Sequence, residues 1–200
     1  EMILSILIPT VIGRERPLEL LTNRIYSQIG DLKAESKVEV IVICDNKEIS
    51  IGEKRNRLYT AASGEFSVQI DDDDDVAGNY VFNVLKAARR PVDCIGYQEY
   101  VTGMGRPSRS DFSLRYKEWK EANGKDLICG MFRHVRTPFH KTPIRTEIAK
   151  SVSFADMRFG EDHDWSKRIF PLLKTENYIN DLMYFYRYTP GDMKVKYGIK

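Results

Sequence analysis

Two hundred residues, 42% hydrophobic and 11% aromatic, suffice for one domain with a core of its own and are too few for two comfortable ones. Thirty-one basic against 29 acidic side chains leave a net charge of +2, which excludes a uniformly polycationic or polyanionic chain and moves the question to how charge is distributed. The three cysteines, Cys44, Cys94 and Cys129, are an odd number placed in or beside apolar runs, the usage expected of reduced core thiols rather than of a disulfide framework or a metal site.

The first apolar run, residues 2–9 (MILSILIP), has neither a basic leader nor a cleavage site and is too short to span a bilayer, so a cytoplasmic protein with no membrane contact is expected. With the runs 38–44 (VEVIVIC) and 66–70 (FSVQI) it reads as strands buried on both faces, the pattern of a parallel sheet covered by helices. Between them, 16–30 carries Leu18, Leu21, Ile25 and Ile29 at helical spacing, with Pro17 suited to a first turn and Gly30 to an end. Helices are also predicted over 52–64 and 77–90, completing a doubly wound half in which ligands bind at the carboxyl ends of the strands. Beyond residue 90 the pattern predicts a strand over 92–103, a polar connection over 104–126, a strand over 127–136, short helices over 142–152 and 161–173, and an aromatic strand over 177–189.

Five consecutive aspartates, Asp71 to Asp75, follow the third strand. Adjacent carboxylates repel, so the run is either a solvated acidic loop or a site for a hard divalent ion that also binds diphosphate oxygens. Its position at a strand end favours the ion. Other landmarks stand in order along the chain: Pro9-Thr10 with Arg14 after the first strand, Asp45 after the second, GEKRN (52–56) opening a helix, and GED (160–162) where another helix starts. Each alone is bland, since acids in a first turn also satisfy free backbone N–H groups and the helix dipole.

Taken together these landmarks resemble the family 2 glycosyltransferases. The resemblance implies an α/β chain with a single GT-A (Rossmann-like) domain, a mostly parallel central sheet flanked by helices, and a smaller acceptor-side sheet. Residues 1–90 would form the nucleotide-sugar-binding half and 91–200 the acceptor-binding half. It also implies that Pro9, Thr10 and Arg14 meet the nucleotide, that Asp45 accepts from the base, and that Arg55 and Asn56 hold the nucleotide side. Asp71 and Asp73 match the metal-binding DXD motif for Mn²⁺ or Mg²⁺, with Asp73 the direct ligand and Asp72 near the ribose or donor sugar. Five aspartates let that frame slip, which leaves Asp74 open. Asp162 matches the catalytic base and Glu161 a residue that orients the acceptor, while His140 and Lys141 are further candidates for contact with phosphates or acceptor. The donor implied is a nucleotide sugar, usually of uridine.

From Arg106 to Arg145, ten basic residues face four acidic ones. With Phe112, Tyr116, Trp119 and Phe132 interleaved and lysines in the tail MKVKYGIK, this suits an anionic acceptor such as DNA. A 5-hydroxymethylpyrimidine base, the target of small bacteriophage glycosyltransferases, is one such acceptor, and the location would then be the host cytoplasm. A glycan or other small acceptor stands as an equal alternative, and a non-catalytic metal- or nucleotide-binding module as an alternative of another class. EF-hand spacing is absent from the sequence, which weakens the latter. Oligomeric state is left open.

Overall fold

The computed structural model describes residues 1–103, 107–118, 120–121, 132–157 and 159–187. Its elements are, in order, β1 (Leu4–Val11), α1 (Glu15–Asp31), β2 (Val38–Asp45), α2 (Ile51–Ala61), β3 (Phe66–Gln69), β4 (Asp75–Val76), α3 (Tyr80–Ala87) and β5 (Cys94–Thr102). They continue with β6 (Ser108–Phe112), β7 (Lys120–Glu121), β8 (Phe132–Arg136), β9 (Ile144–Arg145), α4 (Thr146–Lys150), α5 (Glu161–Ile169), a 3₁₀ turn (Phe170–Leu172) and β10 (Glu176–Arg187). All strands join one sheet, ordered β2-β1-β3-β9-β5-β6-β8-β7, with β10 beside β5 and carrying β4. The long ladders β1–β2, β1–β3, β5–β10 and β6–β8 are parallel; β5–β6 is the long antiparallel one. The acceptor-side strands therefore extend the central sheet instead of forming a separate smaller one.

The continuous apolar character of β1 follows from burial on both faces. Leu4, Ile6 and Ile8 pack with Leu21, Ile25 and Ile29 of α1 and with Val81 and Val84 of α3. Leu7 points the other way, into a cluster with Leu58 and Tyr59 of α2, Ala149 of α4 and Trp165 of α5. This two-residue alternation is the strand period read against helices on both sides. In the second cluster Phe154 and Trp165 stack with ring centroids 4.7 Å apart, and the Trp165 indole N–H donates to Val152 O at 2.7 Å.

Three expectations are corrected. The stretch 104–126 is not simply a connection: Ser108–Phe112 is a strand whose Ser108, Ser110, Asp111 and Phe112 are buried between β5 and β8. Its polar side chains hide it from any hydrophobic period, and it is held by ladder bonds and by Arg133 donating to Asp111. The predicted helix 142–152 begins as strand β9, because Ile144 bridges β3 and β5 at the sheet centre. Cys44 is exposed rather than a core thiol, whereas Cys94 is buried; Cys129 lies outside the described residues.

Helix α2 starts from Ser50, whose hydroxyl accepts from Glu53 N–H at 3.1 Å. Its second residue, Gly52, runs against the backbone of the segment leading to α5, where an added Cβ would stand 2.0 Å from Ala155 O. Because that neighbour is backbone, Gly52→Ala is expected to cost about 1–3 kcal/mol, measured by urea denaturation, and to displace the approach to α5.

Candidate active site

The carboxyl ends of β1, β2 and β3 lie side by side, with Thr10 opposite Cys44 and Val11 opposite Asp45. Pro9 is a buried residue within β1, in register with Ile43. The Thr10 hydroxyl donates to Asp72 at 2.6 Å. Arg14, in the turn after β1, reaches Asp72 at 3.0 Å and Asp73 at 2.6 Å. Burial opposes its charge, but Asp73 and Asp72 outweigh it and raise the guanidinium pKa. Asp45 accepts from Ile49 N–H at 3.1 Å and from the ammonium of Lys54, which also donates to Thr10 O at 2.6 Å. Against the opposing effect of burial, these donors lower the Asp45 pKa.

A turn at Asp72 and Asp73, closed by Asp74 N–H donating to Asp71 O at 3.0 Å, sorts the aspartates by exposure. The Asp72 and Asp74 side chains are buried, 4% and 0% exposed, while those of Asp71, Asp73 and Asp75 are 18%, 26% and 17% exposed. Each carboxylate has a cation: Arg55 on Asp71, Arg14 on Asp72 and Asp73, Lys141 on Asp74, and Arg24 on Asp75. Each aspartate thus has a partner of opposite charge within the protein, which works against their mutual repulsion.

Asp74 points away from the crevice. It accepts from Lys141 at 2.9 Å and from the Tyr184 hydroxyl at 2.6 Å, and burial pushes its pKa up while Lys141 opposes. Lys141 also faces Glu99 at 3.5 Å and lies 3.8 Å from the Tyr186 ring centroid. This buried hub holds the aspartate loop to β5 and β10. Asp74 and Lys141 are therefore placed as a structural pair, which leaves Asp71, Asp73 and Asp75 on the more exposed side. Among the described residues no group of three or more His, Cys, Asp or Glu is placed to hold a metal. Asp71 and Asp73 are the residues that could take part in holding Mg²⁺ or Mn²⁺ if a diphosphate supplied the remaining oxygens.

Arg55 connects this end to α5. Its guanidinium donates to Asp71 at 3.0 Å, to Gln69 at 2.9 Å and to Glu161 at 3.2 Å, and the residue is 4% exposed. Glu161 is itself buried at the first turn of α5, behind Gly160 at φ +80°, and burial pushes its pKa up against Arg55. Asp162, one residue on, is 32% exposed and pairs with Arg136 at 3.7 Å. Arg136 in turn lies 3.7 Å over the Phe139 ring. Asn56 does not face the crevice: its amide donates to Phe154 O at 3.0 Å and accepts from Phe154 N–H at 2.7 Å, pinning the approach to α5. His140 is 1% exposed, and neither ring nitrogen has a partner among the described residues. Burial and the neighbouring Arg55 hold its pKa well below the usual imidazole range, so the ring is neutral.

S. aureus TarS 1-349 superposes with a TM-score of 0.64 at 17% identity, covering 93% of this chain and 60% of that one. TarS 1-349 in complex with UDP-GlcNAc gives 0.64 at 17% identity, covering 95% and 60%, and in complex with UDP 0.63 at 18%, covering 98% and 63%. The fold is GT-A-like. The chain spans about 60% of the length of those structures. No protein-family model and no curated protein sequence matches it.

On this GT-A-like framework five of the described basic residues of the second half have acidic partners within the protein. Arg109 and Arg133 share Asp111, Arg136 pairs with Asp162, Lys141 with Asp74 and Glu99, and Arg145 with Glu65. Arg115 lies 4.5 Å over the Tyr178 ring. Arg106, Trp119, Lys125 and the tail lysines lie outside the described residues, as do the side chains of Lys120 and Phe132. No helix of the described residues is long and apolar enough to cross a membrane.

Sequence reasoning missed Lys54, Gln69, Glu99, Arg136 and Tyr184. Glu99 carried a signal, an acid inside the apolar strand 92–103, which burial makes costly unless it is paired. Lys54 sat beside the quoted Arg55 and reads as an exposed helix residue until the fold turns it inward.

Proposed function

We propose that the protein transfers a sugar, with inversion, from a nucleoside-diphosphate sugar, a UDP-sugar in the first instance, to an acceptor hydroxyl. The observation that carries this reading is the cluster at the strand ends in which Arg55 joins Asp71 to Glu161 at the start of α5, while Arg14 holds the neighbouring Asp73. TarS, of similar fold, has been crystallised with UDP-GlcNAc and with UDP. The nucleotide would lie across the ends of β1 and β2, with its base toward Asp45 and its diphosphate toward Arg14. Asp73 and Asp71 would hold Mg²⁺ or Mn²⁺, which when bound offsets charge on the departing diphosphate. Asp162 accepts the acceptor's hydroxyl proton as that oxygen bonds to the anomeric carbon. The bond from that carbon to the diphosphate oxygen breaks, its electron pair leaving with the nucleotide. Arg14 stabilises the charge that collects there.

For the acceptor, internal pairing of most described cations favours a glycan or other small hydroxyl compound over a polyanion, while a hydroxymethylated DNA base stays in the test as the second reading. The test is release of nucleoside diphosphate from a panel of UDP-, GDP- and TDP-sugars, with Mn²⁺ or with EDTA, supplied with mono- and oligosaccharides, plain DNA or hydroxymethylated DNA. Mn²⁺-dependent release with transfer to one acceptor class is expected. Nucleotide binding without release from any donor would instead indicate a binding module.

A further inference from the structure

Lys54 is 3% exposed, and its ammonium sits between two strand ends, donating to Thr10 O of β1 at 2.6 Å and to Asp45 Oδ1 of β2. The other Asp45 oxygen accepts from Ile49 N–H. A buried lysine on the second turn of a helix is costly to place there, and a surface position would have served α2 equally well. Its two partners belong to the two strands whose ends form the crevice. Resting on the proposed donor reading, we infer that Lys54 is a positioning residue that sets which nucleobase the donor site accepts.

The chemistry is a matter of which groups are left to bond. Lys54 bonds one Asp45 oxygen and Ile49 the other, with the Lys47 backbone also lowering the carboxyl pKa, and so they fix the carboxylate plane; the Asp45 side chain keeps 13% of its surface exposed, toward which a base can approach. The hydrogen bond and charge of Lys54 are also among the causes that lower the Asp45 pKa. An ionised carboxylate only accepts hydrogen bonds. It therefore suits a base that presents a ring N–H, such as uracil at N3, and meets the N3 lone pair of cytosine with its own. Once freed to rotate, Asp45 would lose that discrimination. Lys54 acts on the base through Asp45 and need not touch the ligand.

The experiment is calorimetric titration of the full chain with UDP and CDP in the presence of Mn²⁺, for the unmodified protein, Lys54→Met, Lys54→Arg and Asp45→Asn. The unmodified protein should prefer UDP by about 10- to 100-fold, the range of one charge-assisted hydrogen bond. Lys54→Met should narrow that ratio several-fold, Asp45→Asn should narrow it as well, and Lys54→Arg should restore part of it. Circular dichroism separates folded from unfolded variants, and the arginine variant keeps the test decisive if the methionine variant does not fold. A folded Lys54→Met with the unmodified UDP:CDP ratio overturns the role of Lys54 and leaves the donor reading standing. Failure of the unmodified protein to bind either nucleotide overturns the donor reading and this inference with it.

Discussion

Asp162→Asn should lower sugar transfer by about 10²- to 10⁴-fold, the usual contribution of a positioned general base, with little change in affinity for the nucleoside diphosphate. Asp162 is the more open of the two acids at the start of α5, and its charge partner Arg136 stands 3.7 Å away, a separation that leaves room for an acceptor hydroxyl to compete. Glu161 cannot take over, because it is buried and already bound to Arg55. The substitution keeps size and the backbone contact, in which His163 N–H donates to Asp162 Oδ1 at 2.8 Å. Single-turnover transfer and calorimetry with UDP separate the two quantities. Normal transfer by the asparagine variant would remove Asp162 from the mechanism.

Arg55→Met should destabilise the fold by about 3–5 kcal/mol, the range for breaking one side of a buried ion pair, and should abolish transfer even where the chain is still folded. It strips the buried Glu161 of its cation and Asp71 of a partner, and leaves the Gln69 carbonyl without its guanidinium donor. The deficit should depend on pH. Glu161 already has a carboxyl pushed upward by burial, with Arg55 as the opposing effect, so the variant raises it further. A carboxyl whose folded pKa exceeds its unfolded value gives stability at low pH that is lost as pH rises. Urea midpoints should therefore recover toward those of the unmodified protein below about pH 5. The double variant Arg55→Met, Glu161→Gln should recover part of the loss at neutral pH, which a mere packing role for Arg55 would not produce.

The donor half was legible because its elements obey simple periods. The strands β1, β2 and β3 are apolar runs, α1 carries a clean helical stripe, and the aspartates stand at a strand end as a ligand site in a doubly wound sheet would. The acceptor half was not, since its strands are specified by contacts. The SRSDF segment is buried through sheet bonds and the Asp111–Arg133 pair, neither of which leaves a local pattern. Similarly, Asn56 looked like half of a nucleotide-binding pair and instead pins Phe154, 98 positions away. The sorting of Asp72 and Asp74 from Asp71 and Asp73 depends on Thr10, Arg14 and Lys141, which meet the run only in the folded chain.

The cations that neutralise the aspartate run come from most of the chain's length: the turn after β1, α1, α2, the loop before β9, and the end of β10, whose Arg187 reaches Asp75 at 3.5 Å. Charge compensation at the crevice is therefore a test that the topology is complete. A fragment ending near residue 90 would keep Arg14, Arg24 and Arg55 yet lose Lys141, Tyr184 and β10, so Asp74 would have neither its cation nor the strand that shelters it. The interior member of the run, Asp74, is thus balanced only when the chain beyond residue 140 has joined the sheet, which requires long loops to close.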